Sequence, residues 1–175
     1  RLASVYKQIA QIASLDQQSF YLDLAEEQSG KAALLDSHNP IFQMNYAYFL
    51  HTREKYAKAA YYYQKTIEYD DRMLNAYYNL AYVYYKLGRK DKSLAQYLTI
   101  SQKGPDYKNI YALISKIYYE QQNYQAAYEN ILIHYQKNPA DIAALYSILN
   151  CLKKLDMPEE YKYYQTKFKE LENKK

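Results

Sequence analysis

Asp71, Pro105 and Pro139 stand 34 residues apart, each at the end of a helical pattern. No other feature constrains the fold as much. A fixed period of roughly 20–50 residues marks a repeat architecture, where each unit buries its apolar face only by stacking on its neighbours. At constant phase the units run 6–39, 40–73, 74–107, 108–141 and 142–175. Each of the middle three has an aromatic-rich first helix, a polar break, a second helix and a closing turn. The reading is all-α, with antiparallel helix pairs in about five units and one domain over 1–175.

Composition narrows this further. Three Gly and four Pro in 175 residues leave little room for long loops or a sheet-rich fold. No run of ~18 apolar residues occurs, so no membrane span is expected. Arg1 is not a start residue, so a leader could have preceded it; the expected location is cytoplasmic, or periplasmic if one did. The lone Cys151 forms no intramolecular disulfide and reads as a small buried hydrophobe. Net charge is only +4, with cations and anions interspersed along the helices. Lys153-Lys154 and the Lys174-Lys175 tail are local basic clusters too short to argue for nucleic acid or a membrane surface.

Specific residues recur at the period. A large first-helix residue is Tyr77, then Tyr111; three further on stand Leu80 and Ile114. A small residue follows at Ala47, Ala81 and Ser115, then Leu50, Tyr84 and Tyr118. The second helix has a small residue at Ala59, Ser93 and Ala127, and four later Tyr63, Tyr97 and Ile131. Over 40–141 this pattern resembles the tetratricopeptide repeat (TPR), a helix–turn–helix family. The resemblance implies a right-handed superhelical solenoid whose first helices line a concave surface. It weakens at both ends. In 6–39 the phase survives as Ile12-Ala13, Ala25 and Ala32, but Gly30 inside the second helix is unfavourable by roughly 1 kcal/mol, which predicts a broken or re-paired unit. In 142–175, Tyr161 replaces the small residue, while Asp156, Pro158 and Glu159 read as N-cap, first-turn proline and capping-box acid of a diverged or capping helix.

Tyrosine, at 26 residues, divides into two groups. Tyr46, Tyr56, Tyr63, Tyr77, Tyr84, Tyr97, Tyr111, Tyr118 and Tyr124 occupy packing positions. The second group lies on the opposite side of the first helices, since residues three or four apart share a face. That face carries Tyr48 and His51; Tyr78, Asn79, Tyr82, Tyr85 and Lys86; Asn109, Lys116 and Tyr119; and Tyr146, Asn150 and Lys153. By the resemblance they line the concave groove. Tyr gives contact area at low entropic cost, and Asn hydrogen-bonds an extended backbone. The lysines favour an acidic or carboxylate-bearing ligand. The competing explanation is that these tyrosines pack on each other and on the next unit.

Other chemistries are excluded in turn. The chaperone-adaptor TPR clamp for a C-terminal carboxylate wants Lys and Asn where this chain has Met44 and Tyr48, and Lys and Arg where it has Asn109 and Leu113; only Asn79 matches. His38, His51 and His134 are isolated, with no metal-ligand spacing, and His134 reads as a packed or rim histidine. Asp70-Asp71 and Glu159-Glu160 lie at helix ends as caps or dipole partners. No phosphate loop or activated nucleophile appears, so neither an enzyme nor a cofactor is expected. RNA-reading helical repeats have a different period and pattern. The expected function is a protein-interaction module holding a peptide segment and scaffolding or chaperoning an assembly. Bacterial TPR proteins of this size extend that to secretion or to pilus and envelope assembly. The alternative is a structural subunit acting by end-on stacking or self-association.

Overall fold

The computed structural model describes residues 2–173, apart from the side chains of Leu15 and Asp16, so the Lys174-Lys175 cluster lies outside the described residues. Among them are ten helices and no strand: α1 (Leu2–Ile12), α2 (Leu15–Leu35), α3 (Pro40–Thr52), α4 (Tyr56–Tyr69), α5 (Leu74–Lys86), α6 (Lys90–Lys103), α7 (Ile110–Glu120), α8 (Tyr124–Lys137), α9 (Ile142–Leu155) and α10 (Pro158–Glu172). Two or three residues join the partners of each pair. Connections this short make consecutive helices antiparallel neighbours. The chain forms two compact units, Arg1–Gln96 and Tyr97–Lys175.

The turn inside each pair is built the same way four times. Glu54, Gly88, Gln122 and Asp156 all have φ between 54° and 72°, and they stand 34 residues apart. After each, the next N–H reaches back to a helix carbonyl: Lys55 to Leu50 (2.9 Å), Arg89 to Tyr84 (2.9 Å), Asn123 to Tyr118 (2.9 Å) and Met157 to Leu152 (3.1 Å). This is the Schellman closure, which favours glycine at the left-handed position. Only Gly88 meets that preference. Gln122→Gly is therefore expected to stabilise the chain by about 0.5–1 kcal/mol, because a left-handed side chain is strained; urea denaturation measures it. Asp156 is thus the left-handed end of α9, not the N-cap of α10. Met157 takes the cap position without a side-chain bond, while Pro158 and Glu159 do fall in the first turn.

The first pair departs from this plan. Residue 20, where the period would place the left-handed turn, lies inside the 21-residue α2. That helix runs unbroken through Gly30. A Cβ there would stand 3.1 Å from the Tyr46 ring, so the glycine lets α3 approach α2 closely. Buried Gln43 donates to the carbonyls of Ala33 (2.8 Å) and Ser37 (2.9 Å). Arg53 pairs with Asp23 and Lys55 with Glu26, both at 2.6 Å. Together these fix α3 on α2.

In the first unit the recurring residues meet in one core: Ala47, Leu50, Ala59, Tyr63, Leu80 and Tyr84. In the second, Ile131, Ala144, Ile148 and Leu152 form a core against which Tyr128, Tyr135, Tyr161 and Tyr164 pack. Of the other packing tyrosines, Tyr77 and Tyr97 are buried; Tyr46, Tyr56, Tyr111, Tyr118 and Tyr124 are half-buried. The small residues Ala81, Ser93, Ser115 and Ala127 are all buried.

His134 is buried and shares a 2.8 Å hydrogen bond with Asp141. The same carboxylate caps α9, accepting from the N–H of Ala143 (2.9 Å) and Ala144 (3.2 Å). Burial raises the Asp141 pKa, but these hydrogen bonds outweigh it and hold the carboxyl below its ordinary value. A depressed carboxylate stabilises fully above its unfolded pKa of about 4, and the benefit disappears as pH falls through the folded value. Asp141→Ala is expected to cost about 1–2 kcal/mol at pH 7. In acid-denaturation curves its deficit shrinks below about pH 4. Asp70, expected as a helix-end partner, holds the Arg72 guanidinium at 2.9 and 3.1 Å.

Candidate functional site

The first-helix face of the first unit is carried by α3 and α5. His51 and Tyr82 stack across the two helices, with ring centroids 5.0 Å apart and planes 30° off parallel. Tyr48 meets the His51 ring edge-on at 6.2 Å. The Lys86 ammonium lies 5.8 Å from the centre of the Tyr82 ring. Beneath them, His51 Nδ1 is 3.2 Å from the hydroxyl of fully buried Tyr63, to which the Asn79 side chain also hydrogen-bonds. Burial, and then the Lys86 charge, push the His51 pKa below its ordinary value, so the ring is neutral at pH 7. Tyr78 and Tyr85 are half-buried, whereas Tyr48, Tyr82 and Lys86 are exposed. This cluster is rooted in the core, and its outer layer of rings and one ammonium faces solvent.

In the second unit the face is carried by α7 and α9. Lys116, Tyr119 and Asn150 line one cavity of about 290 Å³ with Ser115, Ser147 and Cys151. The Tyr119 ring is braced edge-on by Tyr124 at 5.2 Å, over which Lys154 sits at 5.8 Å. Cys151 is buried, and burial pushes its thiol up to about 11. It is a wall of the cavity and not an activated nucleophile. Asn109, Tyr146 and Lys153 are not among the residues lining this cavity. Asn109 occupies the N-cap of α7 without a side-chain cap bond, and Tyr146 and Lys153 are exposed on α9.

A larger cavity, about 640 Å³, opens between α1, α2 and α3 of the first unit. Of its lining residues, only Tyr48 is a binding candidate by sequence. The signal was the stripe Phe42, Asn45 and Phe49, spaced by three and four along α3. Its other wall comes from Leu2 to Lys7, most of which the phase beginning at residue 6 left outside the repeat. Among the described residues there is no group of three His, Cys, Asp or Glu able to hold a metal ion. No helix among them is long and apolar enough to cross a membrane.

Comparison with known proteins agrees with this geometry. A family model described as tetratricopeptide repeat matches residues 50–117. No curated protein matches the sequence. Among solved structures, the chain is similar to MamA, with a TM-score of 0.81 at 18% identity over 99% of this chain and 93% of that one. It is also similar to residues 41 to the end of MamA from Desulfovibrio magneticus RS-1, with a TM-score of 0.77 at 17% identity over 99% and 96%. A third is YrrB, a TPR protein with an unusual peptide-binding site, with a TM-score of 0.71 at 18% identity over 83% and 75%. Identities this low speak to the fold alone. The recurring small and aromatic residues, the four similar turns and these likenesses give the chain the paired-helix fold of TPR proteins, and the tetratricopeptide-repeat model itself matches residues 50–117.

Proposed function

We propose that the chain is a protein-interaction module whose first-helix faces hold a peptide segment of a partner, and that it scaffolds or chaperones a multiprotein assembly. The observation that carries this is the His51–Tyr82 stack with Lys86 beside it. Rings anchored through Tyr63 and Asn79 lose little freedom on binding, so the face is preorganised. Exposed Tyr48 and Tyr82 supply contact area, and Lys86 favours a carboxylate. In the second unit, Tyr119 and Asn150 supply an aromatic face and an amide around a cavity that Lys116 and Glu120 also line. YrrB, similar in fold, has a peptide-binding site, which supports the class of ligand. No catalytic step belongs to this reading. Bacterial secretion or envelope assembly is the pathway proposed.

The test is capture of partners from the source cell's lysate by wild type and by Tyr82→Ala with Lys86→Ala. Tyr82 stacks on His51, so the double variant is expected to lose about 0.5–1.5 kcal/mol and stay folded, which urea denaturation checks before capture. A partner held by wild type and lost by the variant is the expected result. Equal capture would move the site off this face.

A further inference from the structure

The cavity between α1, α2 and α3 combines three features. Its walls combine polar groups with an apolar set: Leu2 from α1, Ala32 and Leu35 from α2, and Phe42 and Phe49 from α3. Among the described residues, the charged side chains lining it are Lys7 and Lys31, with no carboxylate. Lys31 is engaged by Glu27 at 2.6 Å. Lys7 pairs with no carboxylate among the described residues; its ammonium lies 4.5 Å from the centre of the Tyr48 ring and 5.9 Å from that of Phe49. A cation over aromatic faces is attracted by the ring quadrupole, and its remaining N–H groups can still meet an anion. The amides of Gln28 and Asn45 line the same cavity, each able to donate and accept. At about 640 Å³ the space falls within the range of roughly 300–1,000 Å³ typical of ligand sites.

We propose that this cavity seats a partner segment in which a large aliphatic or aromatic side chain adjoins an Asp or Glu. The apolar side chain enters between Leu2, Ala32, Phe42 and Phe49. The carboxylate meets Lys7, and the segment's backbone meets Asn45 and Gln28. The charge decides the class of occupant: a lysine with no carboxylate partner among the described residues, lining a cavity beside apolar side chains, selects acidic-apolar segments and rejects basic ones. This deepens the reading of the chain as a peptide-binding module and rests on it. It places a separate specificity pocket on α1 and α3, beside the His51–Tyr82 stack.

The experiment uses the full chain on an array of octapeptides, one position fixed at a time and the rest degenerate. Wild type is expected to enrich Asp or Glu beside Phe, Leu or Ile. Lys7→Glu is expected to weaken those peptides by about tenfold or more and to turn the acidic preference into one for Lys or Arg. Asn45→Trp, at an exposed position, fills the cavity and is expected to remove both preferences. A merely structural role for Lys7 would not reverse a charge preference. Absence of an acidic-apolar preference overturns the proposal, as does one unchanged in both variants. A preference lost only in Tyr82→Ala with Lys86→Ala also overturns it, and leaves the peptide-binding reading standing on the His51 cluster. Failure of every peptide to bind defeats both. Self-association in sedimentation that Lys7→Glu abolishes assigns the cavity to a second copy, and likewise overturns the proposal.

Discussion

Replacing Tyr63 by alanine is expected to destabilise the chain by about 3–5 kcal/mol, the range for truncating a large buried aromatic. Tyr63 is 0% exposed and sits among Ala47, Leu50, Ala59, Leu80 and Val83. Its ring fills the space where α3, α4 and α5 meet, and three helices cannot all collapse into the void. The hydroxyl adds a second contribution, since it is bonded to His51 and to Asn79. Both of these are half-buried, so water reaches them once the hydroxyl is gone. Tyr63→Phe should therefore cost only about 0.5–1.5 kcal/mol. The contrast between the two variants in urea denaturation separates ring from hydroxyl. A loss below about 1 kcal/mol for alanine would mean that the ring is not the core of this unit. Burial also raises the Tyr63 pKa well above its ordinary value. Its contribution is thus complete below about pH 10 and is lost as pH rises towards the folded value.

Tyr63 also shows what the sequence could reveal. The period identified it as a packing residue, along with Ala47, Leu50 and Leu80, because small and large residues recur there at helical spacing. The helix pairs follow from the same period. The turns were hidden. Of the four left-handed residues that close the pair turns, three are Glu54, Gln122 and Asp156, which carry no glycine signal. Asp156 was misread because aspartate is both a favoured N-cap and tolerant of the left-handed region, and Pro158 and Glu159 follow it. At Gly30 the first pair does leave the repeat plan, yet α2 runs unbroken through the glycine. A helix-interior glycine costs stability locally, but the Tyr46 ring occupies the place of its missing Cβ. Tertiary packing decides such a case, and no local propensity predicts it.

The candidate site was partly legible for a related reason. Spacing along α3 and α5 puts Tyr48, His51, Tyr82 and Lys86 on one side of their helices, and their contacts follow from that. Spacing does not tell how deep a residue reaches. Asn79 was read as a surface hydrogen-bonding group, yet its side chain bonds the buried Tyr63 hydroxyl. The large cavity of the first unit depends on where α1 lies. The period does not govern that placement, because the first pair turns at Ala13-Ser14 instead of at residue 20.

Ala127→Leu is expected to cost about 1–3 kcal/mol, the penalty for inserting methylenes into a filled interior. Ala127 on α8 is 0% exposed. Its carbonyl accepts a 2.7 Å hydrogen bond from the hydroxyl of buried Ser115 on α7. Two small residues thus let the helix backbones meet, and the hydroxyl of one is satisfied by the other's main chain. A leucine at 127 needs room that only displacement of α7 provides. That displacement breaks the Ser115 bond and leaves a buried hydroxyl unpaired, which adds to the strain. Ala143→Leu is the control: its side chain is exposed on α9, and a change within about 0.5 kcal/mol is expected. Equal, small effects at both positions would mean that the small residues do not set the helix spacing. The consequence reaches the site, because α7 carries Lys116 and Tyr119 on the wall of the second unit's cavity. A helix pushed outward at Ser115 carries those two side chains with it. Repeat packing and site geometry in this unit are therefore fixed by the same pair of small residues.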